Sequence, residues 1–204
     1  MWTRRQVRGF TLVELLVSVG LTALLSWGVV TLYSAACRLA ATATLEAELT
    51  ANGRAALDLI CRDLMQAAGP EVGYLCIEAE EPWATVRFVA PTLTVGAAHV
   101  AYQVRDLGPG RERMLCRCLK RPVTSAEIPA DGDYNEVSPL GVNVEELTVE
   151  HVGLSGSLER GGNTWQGAAA RYPRSVLVTV RVADARRGVS LVVSSGAVLL
   201  ASGF

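Results

Sequence analysis

The sequence predicts an α+β protein, with one long N-terminal helix packed under an antiparallel β-sheet domain. Three observations predict it. Residues 15–37, about 23 in a row, carry no charge, which is enough to cross a bilayer as a helix. Beyond them Leu45, Leu49, Ala56, Ile60 and Leu64 recur at helical spacing, up to a stop at Ala67-Ala68-Gly69-Pro70. From Ala84 onward the apolar residues recur at every second position, the period of a strand. Helix first and strands afterwards is an α+β order.

The elements follow in chain order. Residues 1–9 form a basic leader with Arg4, Arg5 and Arg8 and no acid. The helix is expected over residues 10–68, about 90 Å long. Its first part, 10–37, is apolar all round and suits lipid or the core of an assembly. Its second part, 38–68, is amphipathic, with Leu57 and Cys61 widening the apolar stripe and Glu46, Glu48, Arg54, Arg62 and Asp63 opposite. Gly20, Gly28 and Gly53 interrupt it, each costing about 1 kcal/mol relative to alanine. Gly20 and Gly28 suit close helix–helix approach in a membrane. No proline occurs from 10 to 68.

Residues 69–204 are expected to form the β domain. Strands are expected at 71–80, 84–90, 99–105, 113–120, 142–152 with a break at Glu145-Glu146, 175–182, and one or two over 189–201. Gly108-Pro109-Gly110 makes 99–105 and 113–120 a hairpin, and residues 184–188 make another. Residues 121–139 and 154–170 are expected as loops, from their prolines and from their Gly and Ser content.

The chain has 204 residues, 50% of them hydrophobic and 19% charged, too apolar for disorder. It carries 19 basic and 20 acidic residues. Three of the arginines lie in the leader, so the rest is about four charges negative, a poor match for a phosphate backbone. The basic leader favours retention on the cytoplasmic side, which places the β domain outside the cytoplasm. Disulfides are then possible. The five cysteines are Cys37, Cys61, Cys76, Cys116 and Cys118, an odd number. Cys37 is the one expected to stay free, and Cys61, Cys76, Cys116 and Cys118 are the disulfide candidates.

The stretch Arg8-Gly9-Phe10-Thr11-Leu12-Val13-Glu14-Leu15-Leu16-Val17 resembles the processing and assembly segment of type IV prepilins and type II secretion pseudopilins. Two plainer readings compete with it. A secretory signal would have a shorter apolar core and an A-x-A-like site behind it, and Ala35-Ala36-Cys37 comes too late. In a plain single-span anchor the motif would be coincidence. The resemblance implies that prepilin peptidase cuts after Gly9 and methylates the new amino terminus at Phe10. It also implies that Glu14 pairs with the amino terminus of a neighbouring subunit. A buried carboxylate and a buried ammonium each cost free energy alone and offset one another when paired. Many major pilins have a proline inside this helix, and this chain departs from them there.

Asn52-Gly53-Arg54-Ala55-Ala56-Leu57-Asp58-Leu59, with Arg62-Asp63-Leu64, is similar to the helix of PilW-type minor pilins. Tyr172-Pro173-Arg174-Ser175-Val176 is similar to a late stretch of J-type minor pseudopilins. The implied function is that of a minor pilin, a structural subunit that primes or caps type IV pilus assembly. The alternatives are a minor pseudopilin of a type II secretion system, or a tip adhesin or DNA-uptake module. The implied partners are prepilin peptidase, other minor and major pilins or pseudopilins, and the inner-membrane assembly platform. The implied location is the inner membrane, single-pass, with assembly into a pilus or pseudopilus. Nucleic acid is not an expected partner, although Arg111, Arg113, Arg117, Lys120 and Arg121 crowd one hairpin.

No enzyme and no cofactor is read from the sequence. Cys116 and Cys118 lack C-x-x-C spacing and further ligands. Asp131, Asp133 and Asn135 are calcium candidates by their alternate spacing. The glycine expected at the sixth position and the glutamate at the twelfth are replaced by Glu136 and Val142, so a solvated acidic turn is preferred. Glu145 and Glu146 are adjacent on a strand and face opposite ways. His99 and His151 read as strand-face residues.

Overall fold

The computed structural model describes residues 11–92, 96–106, 113–123, 127–153, 155–167, 169–184 and 188–199. Helix α1 spans Leu12–Met65 and nine strands follow: β1 Tyr74–Glu78, β2 Thr85–Thr92, β3 Gly96–Asp106, β4 Arg113–Lys120, β5 Glu136–Val152, β6 Leu158–Arg160, β7 Asn163–Gln166, β8 Ser175–Asp184 and β9 Val189–Val198. This is an α+β fold with a long apolar N-terminal helix and an antiparallel sheet. The chain divides into two compact units, Met1–Leu45 and Glu46–Phe204, and the division falls inside α1.

In the first unit every described residue from Thr11 to Thr44 is exposed, including Leu24, Leu25, Trp27 and Leu32. The helix closes its own polar groups. Ser18 Oγ donates to Leu15 O, Thr22 Oγ1 to Ser18 O, and Thr31 Oγ1 to Trp27 O at 2.6 Å. Hydroxyls folded back onto the preceding turn leave the uncharged 15–37 stretch of the helix with an apolar surface, as lipid requires.

In the second unit the strands run β7-β1-β2-β3-β4-β5-β8-β9, with β6 also on β5. All the strand pairings are antiparallel. The α1 segment from Ala56 to Leu64 lays Ala56, Leu57, Ile60, Cys61 and Leu64 on one sheet face, against Leu75, Ile77, Phe88, Val100 and the Val176–Val182 stripe. Strand pairing carries side-chain rows across the sheet. One row is Ile77, Val86, Tyr102 and Arg117, and the next is Leu75, Phe88, Val100 and Leu119. On the opposite face Val123, Ile128 and Tyr134 pack on Tyr74, Cys76, Val89, Ala101, Cys116 and Cys118.

Several boundaries differ from the sequence reading. The helix ends at Met65 rather than near Ala68. Ala68 is held from both sides, its N–H donating to Val89 O at 2.7 Å and its carbonyl accepting from Tyr172 Oη at 2.7 Å. Those bonds draw the chain out of the helix before the Gly69-Pro70 stop. Strand β5 starts at Glu136, inside the segment expected to be a loop, because its first residues pair with β4. The expected break at Glu145-Glu146 is a register shift between Val144 and Glu146, where β5 moves from β4 to β8. The expected 154–170 loop contains the short strands β6 and β7. Gly108-Pro109-Gly110 lies outside the described residues, but β3 and β4 pair as the hairpin reading requires.

Candidate functional site

The candidate site is the start of α1. Gly9 and Phe10 lie outside the described residues. Thr11 is the N-cap, and Glu14 stands three residues on, at the position that can reach back to it. Thr11 N–H donates to Glu14 Oε2 at 3.2 Å, and Thr11 Oγ1 donates to the same oxygen at 3.1 Å. Glu14 N–H in turn donates to Thr11 Oγ1 at 3.3 Å. This is a capping box, which satisfies two otherwise unpaired N–H groups at the helix start and sets a carboxylate against the positive end of the helix dipole. The T-x-x-E spacing carries the signal for it, and the sequence reading passed over it by treating Glu14 only as a partner for another subunit.

Around this box Leu12, Val13, Leu15, Leu16 and Val17 are all more than half exposed. The carboxylate therefore sits at the head of an apolar surface, bonded among the described residues to a residue of its own turn. α1 is also the helix long and apolar enough to cross a membrane among the described residues. A carboxylate in such a setting costs a few kcal/mol unless it meets a cation.

In the second unit one further carboxylate on α1 stands out. Asp63, expected on the exposed polar stripe, is buried instead. Its Oδ2 accepts from Tyr102 Oη at 2.7 Å and from Arg117 Nε at 2.7 Å. Tyr102 and Arg117 are cross-strand neighbours on β3 and β4, 39 and 54 residues away, so helical periodicity could not show them. Burial, then the nearby Asp63 charge, pushes the Tyr102 hydroxyl well above its ordinary range. Tyr102 therefore stays a neutral donor and the helix is tied to the sheet by a charge-assisted fork.

The remaining candidates serve the fold of this unit. Asp131 Oδ1 accepts from Arg87 Nη2 at 2.6 Å, Asp133 pairs with Lys120 at 3.5 Å, and Asn135 Nδ2 donates to Arg121 O. Arg87 also pairs with Glu78. The acidic turn is thus neutralised by cations of β2 and β4 and clamps the 127–136 segment over the sheet. No group of three or more His, Cys, Asp or Glu that could hold a metal occurs among the described residues.

The cysteines do not pair in this structure, and all five are free. Cys61 is on the helix side of the sheet, whereas Cys116 and Cys118 are on the other face. Cys76 shares a row with Cys118 through Arg87 and Ala101, three strand spacings or about 14 Å away, beyond the reach of a disulfide. Burial raises the Cys116 and Cys118 thiols, so both are kept protonated. His99 is buried and its Nδ1 meets Tyr74 Oη at 3.1 Å. Burial first, then Lys120, lowers its pKa. His151 is buried edge-on to Trp165. The basic residues of the β3–β4 hairpin divide between faces and partners. Arg113 lies over Trp83, Arg117 holds Asp63, Lys120 meets Asp133 and Arg121 meets Glu136. Arg111 lies outside the described residues.

An apolar helix headed by a capped glutamate, followed by an antiparallel β domain, is an arrangement that fits a membrane-anchored protein with a C-terminal domain. Residues 4–30 match the family model of the prokaryotic N-terminal methylation motif, which supports a type IV pilin-like or pseudopilin protein. That motif implies processing by prepilin peptidase and assembly with other pilins, and with the apolar helix it fits an inner-membrane anchor carrying a C-terminal domain. No curated protein matches the chain.

Proposed function

We propose that this chain is a minor pilin, a structural rather than catalytic subunit that primes or caps a type IV pilus after its leader is removed. The observation that carries the reading is the Thr11–Glu14 capping box at the head of an exposed apolar helix, inside the matched methylation motif. Cleavage between Gly9 and Phe10 leaves an α-amino group one residue before the N-cap. In the lone subunit Glu14 is held by its own helix terminus. In the filament it takes the ammonium of a neighbouring Phe10, an attraction strengthened where water is excluded. The inner-membrane assembly platform and the other subunits, minor and major, are the partners. Thr22, Thr31 and Ser34 hide their hydroxyls in the helix, which lets the segment pass from lipid into a bundle of like helices without new unsatisfied groups.

The PilW-type likeness of the 52–64 stretch favours a pilus over a secretion pseudopilus, with the J-type pseudopilin as the second reading. A DNA-uptake module is disfavoured, because Arg113, Arg117, Lys120 and Arg121 are taken up by Trp83, Asp63, Asp133 and Glu136. The test is the mass of the amino-terminal peptide of protein recovered from cells with a working prepilin peptidase. The expected result is a chain beginning at a methylated Phe10. A chain that keeps Arg4 to Gly9 in those cells would overturn the reading.

A further inference from the structure

At the C-terminal end of β5, beside the short strands β6 and β7, lies a cavity of about 230 Å³. His151, only 2% exposed, is part of its lining. Strand alternation explains that burial. Leu147, Val149 and His151 share the buried face of β5, and His151 ends the row opposite Val176. His151 Nε2 lies 3.3 Å from Glu159 Oε2 and 3.4 Å from Asn163 Nδ2. Glu159 is its cross-strand neighbour on β6. His151 Nδ1 is buried and has no hydrogen-bond partner among the described residues. Whichever ring nitrogen carries the hydrogen, Nδ1 is left as an unmet donor or an unmet acceptor. Buried polar atoms in folded proteins are nearly always bonded, so this exception beside a cavity points to a partner supplied from the cavity.

The rest of the lining is of two kinds. Trp165, Tyr172 and Pro173 supply apolar surface. The Tyr172 hydroxyl is already engaged with Ala68 O at 2.7 Å. Trp165 is partly buried, its ring 5.0 Å from the His151 ring and at 81° to it. The polar lining has one carboxylate, Glu159, and one guanidinium, Arg171, together with the amide of Asn163. Glu159 Oε1 accepts from Ser157 Oγ at 3.1 Å, so its carboxylate is held from both ends. Arg171 and Asn163 are exposed.

We propose that this cavity binds one neutral sugar ring, the end residue of a glycan. A hydroxyl both donates and accepts, so one ligand of this class answers Glu159, which accepts, and Arg171 and Asn163, which donate. A hydroxyl also meets His151 Nδ1 whether or not that nitrogen carries the hydrogen. The carbon face of the ring is matched by Trp165, Tyr172 and Pro173. A lone anion would be repelled by Glu159 and a lone cation by Arg171. The volume falls below the roughly 300–1,000 Å³ of sites for drug-sized ligands, which suits a single ring. The site is built from the second unit alone, and it does not depend on the filament-subunit reading.

The test uses the full chain in detergent, with the methyl glycosides of glucose, galactose, mannose and N-acetylglucosamine as probes, read by saturation-transfer NMR. Glycine and inorganic phosphate are the charged controls. The expected result is binding of at least one glycoside and of neither control. Arg171→Ala and Asn163→Ala, both at exposed positions, should each weaken that binding at least tenfold while the domain melts as before. The chain has two histidines, so His99→Gln assigns the His151 Nδ1 resonance, which should move when the glycoside is added. Binding of glycine or phosphate in place of a glycoside, or binding of none of the probes, overturns the proposal. A bound glycoside that leaves Nδ1 unmoved, or that binds equally well to both variants, overturns it too.

Discussion

Two carboxylates on the same helix are treated in opposite ways. Asp63 is buried, its Oδ2 held by a tyrosine hydroxyl and an arginine at 2.7 Å each, and both partners lie on the sheet of its own unit. Glu14 is exposed, bonded at 3.1–3.3 Å to the cap residue of its own first turn and to nothing else among the described residues. The first arrangement is finished within one chain. In the proposed filament the second is a holding position, stable enough to start a helix and weak enough to be exchanged for an ammonium. One carboxylate secures the fold, and the other is proposed to serve assembly.

That contrast can be broken at several points. The largest effect is expected for Asp63→Ala, which leaves Arg117 without its partner under the helix. Stability should fall by about 3 kcal/mol, read as a lower thermal midpoint of the full chain in detergent. Arg117→Leu added to it should recover part of that loss. Equal destabilisation by the single and double variants would show that the fork does not hold the helix.

Gly53 should follow. A Cβ at that position would stand 3.2 Å from Val193 Cγ2 and 3.7 Å from Val182 Cγ1, so α1 already approaches β8 and β9 closely there. Gly53→Leu should cost about 2 kcal/mol by overpacking, although leucine is the better helix former. A more stable leucine variant would mean that helix propensity outweighs the contact.

A smaller effect is expected with pH. Burial holds the His99 pKa below its ordinary value, so the unfolded chain binds the proton more readily. Stability should therefore be steady above about pH 6.5 and decline as the pH falls below it toward the lowered value, by at most one proton's slope. The groups around His99 are the Tyr74 hydroxyl and the cross-strand Lys120. His99→Gln should flatten the decline, measured as melting temperature against pH. The smallest change belongs to Thr11→Ala, worth about 1 kcal/mol at the helix terminus. It should leave the melting of the β domain unmoved.

Much of this architecture was legible in the sequence, for local reasons. The uncharged 15–37 run, the alternating valines at 176–182 and the hairpin pairs each carry their signal within a few residues. What was missed depends on distant partners. Asp63 looked like a surface residue because Tyr102 and Arg117 approach it only once β3 and β4 pair. The first residues of β5 read as loop because Pro139 and the preceding acids suit a turn, and pairing with β4 outweighed them. The Asp131–Asn135 stretch reads as an acidic turn, but the arginine and lysine that meet it come from other strands and were not legible beside it. The positions of the cysteines were not legible either: a sheet face separates Cys61 from Cys116 and Cys118, and three strand spacings separate Cys76 from Cys118. The Thr11–Glu14 box was visible in the spacing and was overlooked.

The most direct measurement is the fate of Glu14→Ala in cells that make the filament. Leader removal, the amount of membrane-inserted chain and the amount recovered in sheared filaments would be read together. The account predicts normal processing, a normally melting domain and a loss of filament incorporation, since the ammonium of the neighbouring chain would meet no carboxylate. Incorporation at the level of the unaltered chain would contradict it, and Glu14 would then be a helix cap and nothing more.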